Sequence, residues 1–159
     1  MITQELVKKL FEYRDGELYW KVKPSIRVDI SKPAGYINHG YKSIGFKRKY
    51  YKTHRLIFLM FEGYFPNQID HIDGNKLNNS IKNLRCATHS ENQCNKRISK
   101  KNTSGIKGID WHQRLKKWRV QLSVNGKKKH FGLYHDIEVA KFIAETMRNK
   151  YHGNFANHG

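Results

Sequence analysis

Apolar and polar residues alternate along Trp118-Arg119-Val120-Gln121-Leu122-Ser123-Val124. A strand here puts Trp118, Val120, Leu122 and Val124 on one face and Arg119, Gln121 and Ser123 on the other. Asn125-Gly126 is a two-residue hairpin signal, and Lys127–Leu133 reads as the returning strand. Gly108–His112 reads as a first strand. Asp136 can then cap a helix running to about Lys150, with Ile137, Ala140, Ile143 or Ala144, Met147 and Tyr151 as its apolar stripe and Gly153 as its stop. The prediction is a three-stranded antiparallel sheet with one face under a helix. Its other face is polar and basic, as a groove reader requires.

Upstream the pattern is more broken. Thr3 caps a helix over Gln4–Phe11, Asp15-Gly16 is a tight turn, and Glu17–Val22 is the outgoing strand. Two prolines mark Lys23–Pro33 as loop. Ala34–Asn38, Tyr41–Phe46 and Tyr50–Thr53 form short ribbons around His39-Gly40 and Lys47-Arg48-Lys49. His54–Phe61 is too densely apolar for an exposed strand and predicts a buried helix ending near Gly63. Pro66 opens a strand into Ile69-Asp70. Gly74-Asn75 and Asn78-Asn79 suit a polar turn, Ser80 caps a turn containing Ile81 and Leu84, and Thr88 caps a helix over His89–Asn95. The class is α+β.

Charge sharpens this division. The chain of 159 residues carries a net +18. Residues 1–53 hold 12 Lys/Arg and 5 Asp/Glu (+7), residues 54–94 hold 4 and 4 (0), and residues 95–159 hold 15 and 4 (+11). Basic flanks around a neutral centre predict a polyanionic partner, nucleic acid before an anionic membrane, held by the flanks while the centre keeps its acids for a metal. No apolar stretch is long enough to span a bilayer. Cys86 and Cys94, eight residues apart and the only cysteines, lack the pairing of a structural zinc site, and fit a reduced, cytoplasmic setting. Asn95–Thr103, with four bases and no acid, reads as a linker whose Lys96, Arg97, Lys100 and Lys101 meet phosphates.

The chemistry concentrates at Asp70-His71. Asp70 is a ligand type suited to Mg²⁺ or Mn²⁺, and the adjacent His71 can take a proton from water if a partner fixes its tautomer. An Asn amide oxygen can do that by accepting the imidazole N–H. On spacing alone, a polar turn held by Asx hydrogen bonds explains the same residues.

His54-Arg55-Leu56-Ile57, then Ile69-Asp70-His71-Ile72-Asp73-Gly74-Asn75, Asn78-Asn79, Asn83-Leu84-Arg85, Thr88 and Glu91-Asn92 together resemble the phage-type HNH homing endonucleases, over about residues 10–95. The resemblance implies a ββα-metal core. It makes His71 the base, Asn83 the residue that holds its imidazole, and Asp70 and Asn92 the ligands of one divalent cation. Many members carry His where this chain has Asn92. The secondary candidates are His54, Arg55, Arg85 and His89.

Residues 104–157 carry a second resemblance, to the ethylene-response-factor type of DNA-binding domain, through Ser104-Gly105-Ile106-Lys107-Gly108-Ile109, Lys117-Trp118, Asn125-Gly126-Lys127, Phe131-Gly132, Tyr151-His152-Gly153 and Ala156-Asn157. It implies base reading by Arg119, Gln121, Ser123, Lys128 and His130. Asp110 and His112 stand where plant members carry Arg.

The expected organisation is an N-terminal helix and ribbons over 1–53, contacting DNA through Lys47, Arg48 and Lys49. A nuclease core (54–95), a linker (96–103) and a DNA-binding domain (104–159) follow, with His112 and Arg114 among the last domain's contacts. The expected function is site-specific cleavage of double-stranded DNA by a homing-type endonuclease, nicking as a monomer and leaving 5′-phosphate and 3′-hydroxyl ends. A phage or mobile element in a bacterial cytoplasm is the expected setting. The alternative is a DNA-binding regulator that keeps an inert nuclease scaffold, and intact Asp70, His71 and Asn83 argue against it.

Overall fold

A computed structural model describes residues 2–159 and is mixed α+β, built from small antiparallel sheets and four helices among the described residues. It folds as two compact units, Met1–Ala87 and Thr88–Gly159.

In the first unit, α1 (Gln4–Leu10) starts at Thr3, whose hydroxyl accepts from the Leu6 N–H at 3.3 Å. Strands β1 (Phe11–Arg14) and β2 (Glu17–Trp20) follow as a hairpin in which Arg14 pairs with Glu17. Asp15 and Gly16 form its two-residue turn, both at positive φ (46° and 87°), as a twisted two-residue hairpin demands. A Cβ on Gly16 would come within 2.8 Å of the Ser80 backbone nitrogen, so the turn also needs glycine for close approach. The strands β3 (Tyr36–Asn38), β4 (Tyr41–Phe46) and β5 (Lys49–Lys52) make a three-stranded meander. Lys47 and Arg48 alone form its second turn, so Lys49 belongs to β5.

Helix α2 (Thr53–Glu62) leads from that sheet to β6 (Gln68–His71). Its His54, Leu56, Ile57, Phe58, Leu59 and Met60 are all buried, and it ends at Gly63 in the left-handed conformation (φ 83°). One core joins its Leu56, Ile57, Phe58, Leu59 and Met60 to Val7, Leu10, Phe11, Leu18, Trp20, Ile44, Ile69 and Leu84. Each such apolar side chain contributes about 1.5–3 kcal/mol by leaving water. The expected boundary between residues 53 and 54 is therefore absent: the ribbons and α2 share apolar neighbours. β6 pairs antiparallel with β7 (Leu84–Ala87) after a loop that ends in a 3₁₀ turn, Ile81–Asn83.

In the second unit, α3 (His89–Cys94) opens with a capping box. Thr88 Oγ1 accepts from the Glu91 N–H at 3.2 Å, and the Glu91 carboxylate accepts from the Thr88 N–H at 2.7 Å. At its far end Lys107 Nζ donates to the carbonyls of Cys94 (2.9 Å) and Lys96, and Asn157 Nδ2 donates to the Asn95 carbonyl at 2.9 Å. A lysine here satisfies carbonyls that the helix leaves open and suits its negative end. These bonds place α3 with the C-terminal sheet rather than before a linker. Residues 96–103 are likewise fastened: the Asn102 amide donates to the carbonyls of Ile106 (3.0 Å) and Ile109 (3.2 Å).

The C-terminal sheet runs β10 (Lys127–Tyr134), β9 (Lys117–Val124), β8 (Ile109–His112), with Asn125-Gly126 as the hairpin turn. Helix α4 (Ile137–His152), capped by Asp136, packs Ala140 and Ala144 against Ile109 and Val120. The alternation pattern misses Arg148, which is fully buried on the same face of α4. Its guanidinium donates to the Lys107 carbonyl and meets His158 Nδ1 at 2.8 Å, while burial lowers its pKa. It ties the start of the sheet to the chain beyond α4.

Candidate active site

Strand β6 carries Asp70 and His71 as consecutive buried residues, 4% and 6% exposed. Burying a carboxylate is costly unless it is paired. Its register partner on β7 is Arg85, and Asp70 Oδ2 accepts from Arg85 Nε at 2.8 Å and from Nη2 at 2.7 Å. The antiparallel register thus supplies the partner, and Arg85 moves from a secondary candidate to a direct neighbour of Asp70.

His71 Nε2 lies 3.1 Å from Asn79 Oδ1. An amide oxygen only accepts, so in the neutral imidazole the proton sits on Nε2 and the lone pair on Nδ1. The expectation that Asn83 holds this ring is corrected. The Asn83 amide oxygen accepts from the Asp73 N–H at 3.0 Å. Its Nδ2 donates to Asp73 Oδ1 (2.9 Å) and to the Asn78 carbonyl (2.8 Å). The reason is register. His71 pairs with Leu84, so Asn83 falls just past the ladder and faces the loop, whereas Asn79 turns inward and is 1% exposed.

Asn83 still matters, as the staple of the loop that presents Asn79. Asp73 is that loop's hub, accepting from the Asn75 N–H at 2.7 Å and from Asn78 Nδ2 at 2.7 Å. Partial burial would raise the pKa of Asp73, but the bonds from Asn78, Asn75 and Asn83 prevail and hold it below the usual carboxylate value. Successive Asx bonds, with Gly74 at φ 68°, make this the polar turn that spacing alone allowed.

His54, at the start of α2, is 5% exposed and stands edge-on to His71, ring centroids 5.0 Å apart. Burial, then repulsion from His71, lowers its pKa to about 3, so it is uncharged at neutral pH. Tyr41 lies 5.3 Å from His54 and 6.3 Å from His71, and the amines of Lys52 and Lys76 sit 4.1 and 4.7 Å from the Tyr41 ring centre. Two cations therefore lie against the ring that borders the histidine pair, a charge suited to a phosphate-bearing substrate. Arg55 donates to the Pro66 carbonyl at 3.0 Å and holds the connection between α2 and β6.

A sequence profile of the family described as HNH endonuclease matches residues 51–94, which run from β5 through α2, β6 and β7 to α3. Protein 3.8 of Escherichia phage T7 is 42% identical over 95 residues, which cover 60% of this chain and 75% of that protein. The chain belongs to the HNH endonuclease family. An Acanthamoeba polyphaga mimivirus protein named as an uncharacterized HNH endonuclease is 35% identical over 108 residues, 66% of this chain and 55% of the relative. A SPbeta prophage-derived protein of Bacillus subtilis, named as a candidate HNH homing endonuclease, is 41% identical over 61 residues, 35% of its own length. No solved structure matches the chain.

The HNH match ends on α3, which carries Asn92 half-buried and His89 exposed, with His89 Nε2 3.2 Å from Gln93 Nε2. Among the described residues no three His, Cys, Asp or Glu side chains gather into a metal cluster. Of the expected DNA contacts, Lys47, Arg48 and Lys49 are exposed at the tip of β4–β5. Lys96, Arg97, Lys100 and Lys101 are exposed between α3 and β8, and Arg114 is exposed in the β8–β9 turn. On the C-terminal sheet, the register pairs His112 with Lys117, Asp110 with Arg119, His130 with Gln121 and Lys128 with Ser123. Directly paired residues share a face, so all eight lie opposite buried Val120 and Leu122. No helix among the described residues is long and apolar enough to cross a membrane.

Proposed function

We propose that this HNH protein is a metal-dependent, site-specific endonuclease of homing type that nicks double-stranded DNA as a monomer. The observation that carries the reading is the buried Asp70-His71 pair, with Asn79 orienting the imidazole and Arg85 pairing the carboxylate. His71 takes a proton from water at Nδ1 as the water attacks phosphorus. The P–O3′ bond breaks opposite the attack and the leaving O3′ takes a proton from solvent water, giving a 5′-phosphate and a 3′-hydroxyl. Arg85 keeps Asp70 oriented within the buried strand pair.

Asp70 is the residue of the first unit that would hold a divalent cation. It offers a hard oxygen donor, and a cation that binds through one or two protein oxygens plus substrate phosphate and water fits Mg²⁺ or Mn²⁺. When bound, such an ion stabilises charge on the phosphate and on the leaving oxygen. A zinc staple is no part of this reading: Cys86 and Cys94, eight residues apart with no other cysteine, lack the paired spacing of such a site.

Sequence reading is assigned to the polar face of β8–β10, supported by its alternation and its basic charge, with Lys47–Lys49 and Lys96–Lys101 contacting phosphates. The test is supercoiled plasmid containing a selected site, incubated with Mg²⁺, with Mn²⁺ or with EDTA. The reading expects nicked circles with either metal and none in EDTA, and Asp70→Ala inactive throughout. Cleavage by wild type in EDTA would overturn it.

A further inference from the structure

An acidic side chain on a DNA-facing sheet is repelled by the phosphate backbone, and Asp110 sits on that face, on the edge strand β8, paired by register with Arg119 on the central strand. Its Oδ2 accepts from Arg119 Nη2 at 2.6 Å and from Nε at 3.1 Å, and its Oδ1 accepts from Gln121 Nε2 at 2.8 Å. The ion pair is open to solvent, each side chain 36% exposed, and such pairs add little to folding stability. Stability therefore does not account for a carboxylate in this place. A groove of about 630 Å³ beside it, lined in part by Lys101, Asp110, Gln121, Ser123 and Lys128, leaves Asp110 and Gln121 accessible.

The geometry of the trio gives the carboxylate a use. A guanidinium presents its donors in a rigid planar fork. With the Nε–Nη2 edge on Asp110, the edge left for a base is the Nη1–Nη2 one, which matches the O6/N7 acceptor pair of guanine. A carboxylate only accepts, so its contact with Nε2 also decides which way round the Gln121 amide lies. That amide keeps a second N–H and its oxygen, the pair that meets N7 and the N6 amino group of adenine. Two long side chains that otherwise sample several rotamers are fixed before DNA arrives, which lowers the ordering cost of binding.

We infer that Asp110 is a positioning residue for sequence recognition, holding Arg119 and Gln121 in the orientation in which they read base edges. The inference rests on the reading role proposed above for this sheet. It makes two demands that a merely structural aspartate would not. Removing the carboxylate must weaken discrimination at the base pairs read by Arg119 and Gln121. It must also strengthen binding to unrelated DNA, because a repulsive charge is lost.

The experiment uses the full chain in EDTA, so that binding is measured without cleavage. Preferred duplexes are selected from a randomised library, and affinities are then measured on all their single-base variants. Arg119→Ala should lose roughly 5- to 150-fold discrimination at one base pair and Gln121→Ala a similar factor at another. Asp110→Ala should lose about 2- to 10-fold at those same two positions while binding an unselected duplex more tightly. Asp110→Ala combined with Arg119→Ala should discriminate at the Arg119 position no worse than Arg119→Ala alone, and Asp110→Glu should recover part of the loss. Unchanged preferences in Asp110→Ala, with Arg119→Ala and Gln121→Ala altered, would overturn the positioning role. A loss at a third base pair would also overturn it, since Asp110 would then read a base itself. If neither Arg119→Ala nor Gln121→Ala altered any preference, the sheet would not be the reading surface and both readings would fall.

Discussion

The two units arrange polar side chains by opposite means. In the first, the reactive pair Asp70-His71 is buried and is held by residues well separated in sequence: Arg85 across a ladder, Asn79 from a loop. In the second, strand alternation puts Arg119, Gln121 and Ser123 on one partly exposed face, where Asp110 on the neighbouring strand bonds to Arg119 and Gln121. A buried polar site is fixed by satisfaction of its partners, because an unpaired group there is expensive. An exposed reading face is fixed by parity, and one residue of register slip would turn it inward. Substitutions should therefore be steeply and uniformly damaging in the first unit and graded, sequence by sequence, in the second.

The largest effect is expected at His71. His71→Ala should cut by roughly 10²–10⁴-fold less than wild type while binding DNA as before, measured by single-turnover cleavage and by binding in EDTA. Near-normal cleavage would remove His71 as the base. Next come the two asparagines. Asn79→Ala should slow cleavage by roughly tenfold or more, with no further loss when combined with His71→Ala. Asn83→Ala should act differently, destabilising the loop by about 1–3 kcal/mol through the polar groups it leaves unpaired. If Asn83→Ala slowed cleavage with the loop intact by hydrogen exchange, Asn83 would regain the role first expected of it.

A smaller effect concerns acid. His54 has a folded-state pKa near 3, below its ordinary 6.5, so the unfolded chain binds an extra proton between those values. Stability from this group is present above pH 6.5 and is lost progressively as pH falls toward 3, by up to a few kcal/mol. His54→Gln should flatten that slope in denaturant titrations across this window. An unchanged slope would mean that His54 is not buried uncharged. The smallest effect is at Lys107, which caps α3. Lys107→Ala should destabilise α3 by about 0.3–2 kcal/mol, read as faster amide exchange around Asn92–Lys96, and Lys107→Arg should restore part of it.

The contrast also explains what could be read from the sequence. Thr88 with Glu91, Asp136, Gly63 and Asn125-Gly126 act on their near neighbours, and each fell where its chemistry predicts. The paired face of β8–β10 followed from period-two alternation for the same reason. Asn79 was not legible. Asn75, Asn78, Asn79 and Asn83 are chemically equivalent, and only the β6–β7 register and the path of the loop select the one that turns toward His71. Arg148 was hidden because a charged residue on an apolar stripe reads as the end of the stripe, while its partners lie 10 and 41 positions away. The residues after α3 looked like a linker because they are basic. Their attachments, through Asn102, Lys107 and Asn157, are single polar side chains reaching distant carbonyls.

The division between a buried cutting centre and an exposed reading face is tested most directly by one measurement. Single-turnover cleavage is timed on a selected duplex and all its single-base variants, for wild type, Asn79→Ala and Arg119→Ala. The account predicts that Asn79→Ala slows every duplex by one common factor, while Arg119→Ala slows them by factors that depend on the base pair at a single position. A base-dependent loss in Asn79→Ala, or a uniform loss in Arg119→Ala, would contradict it.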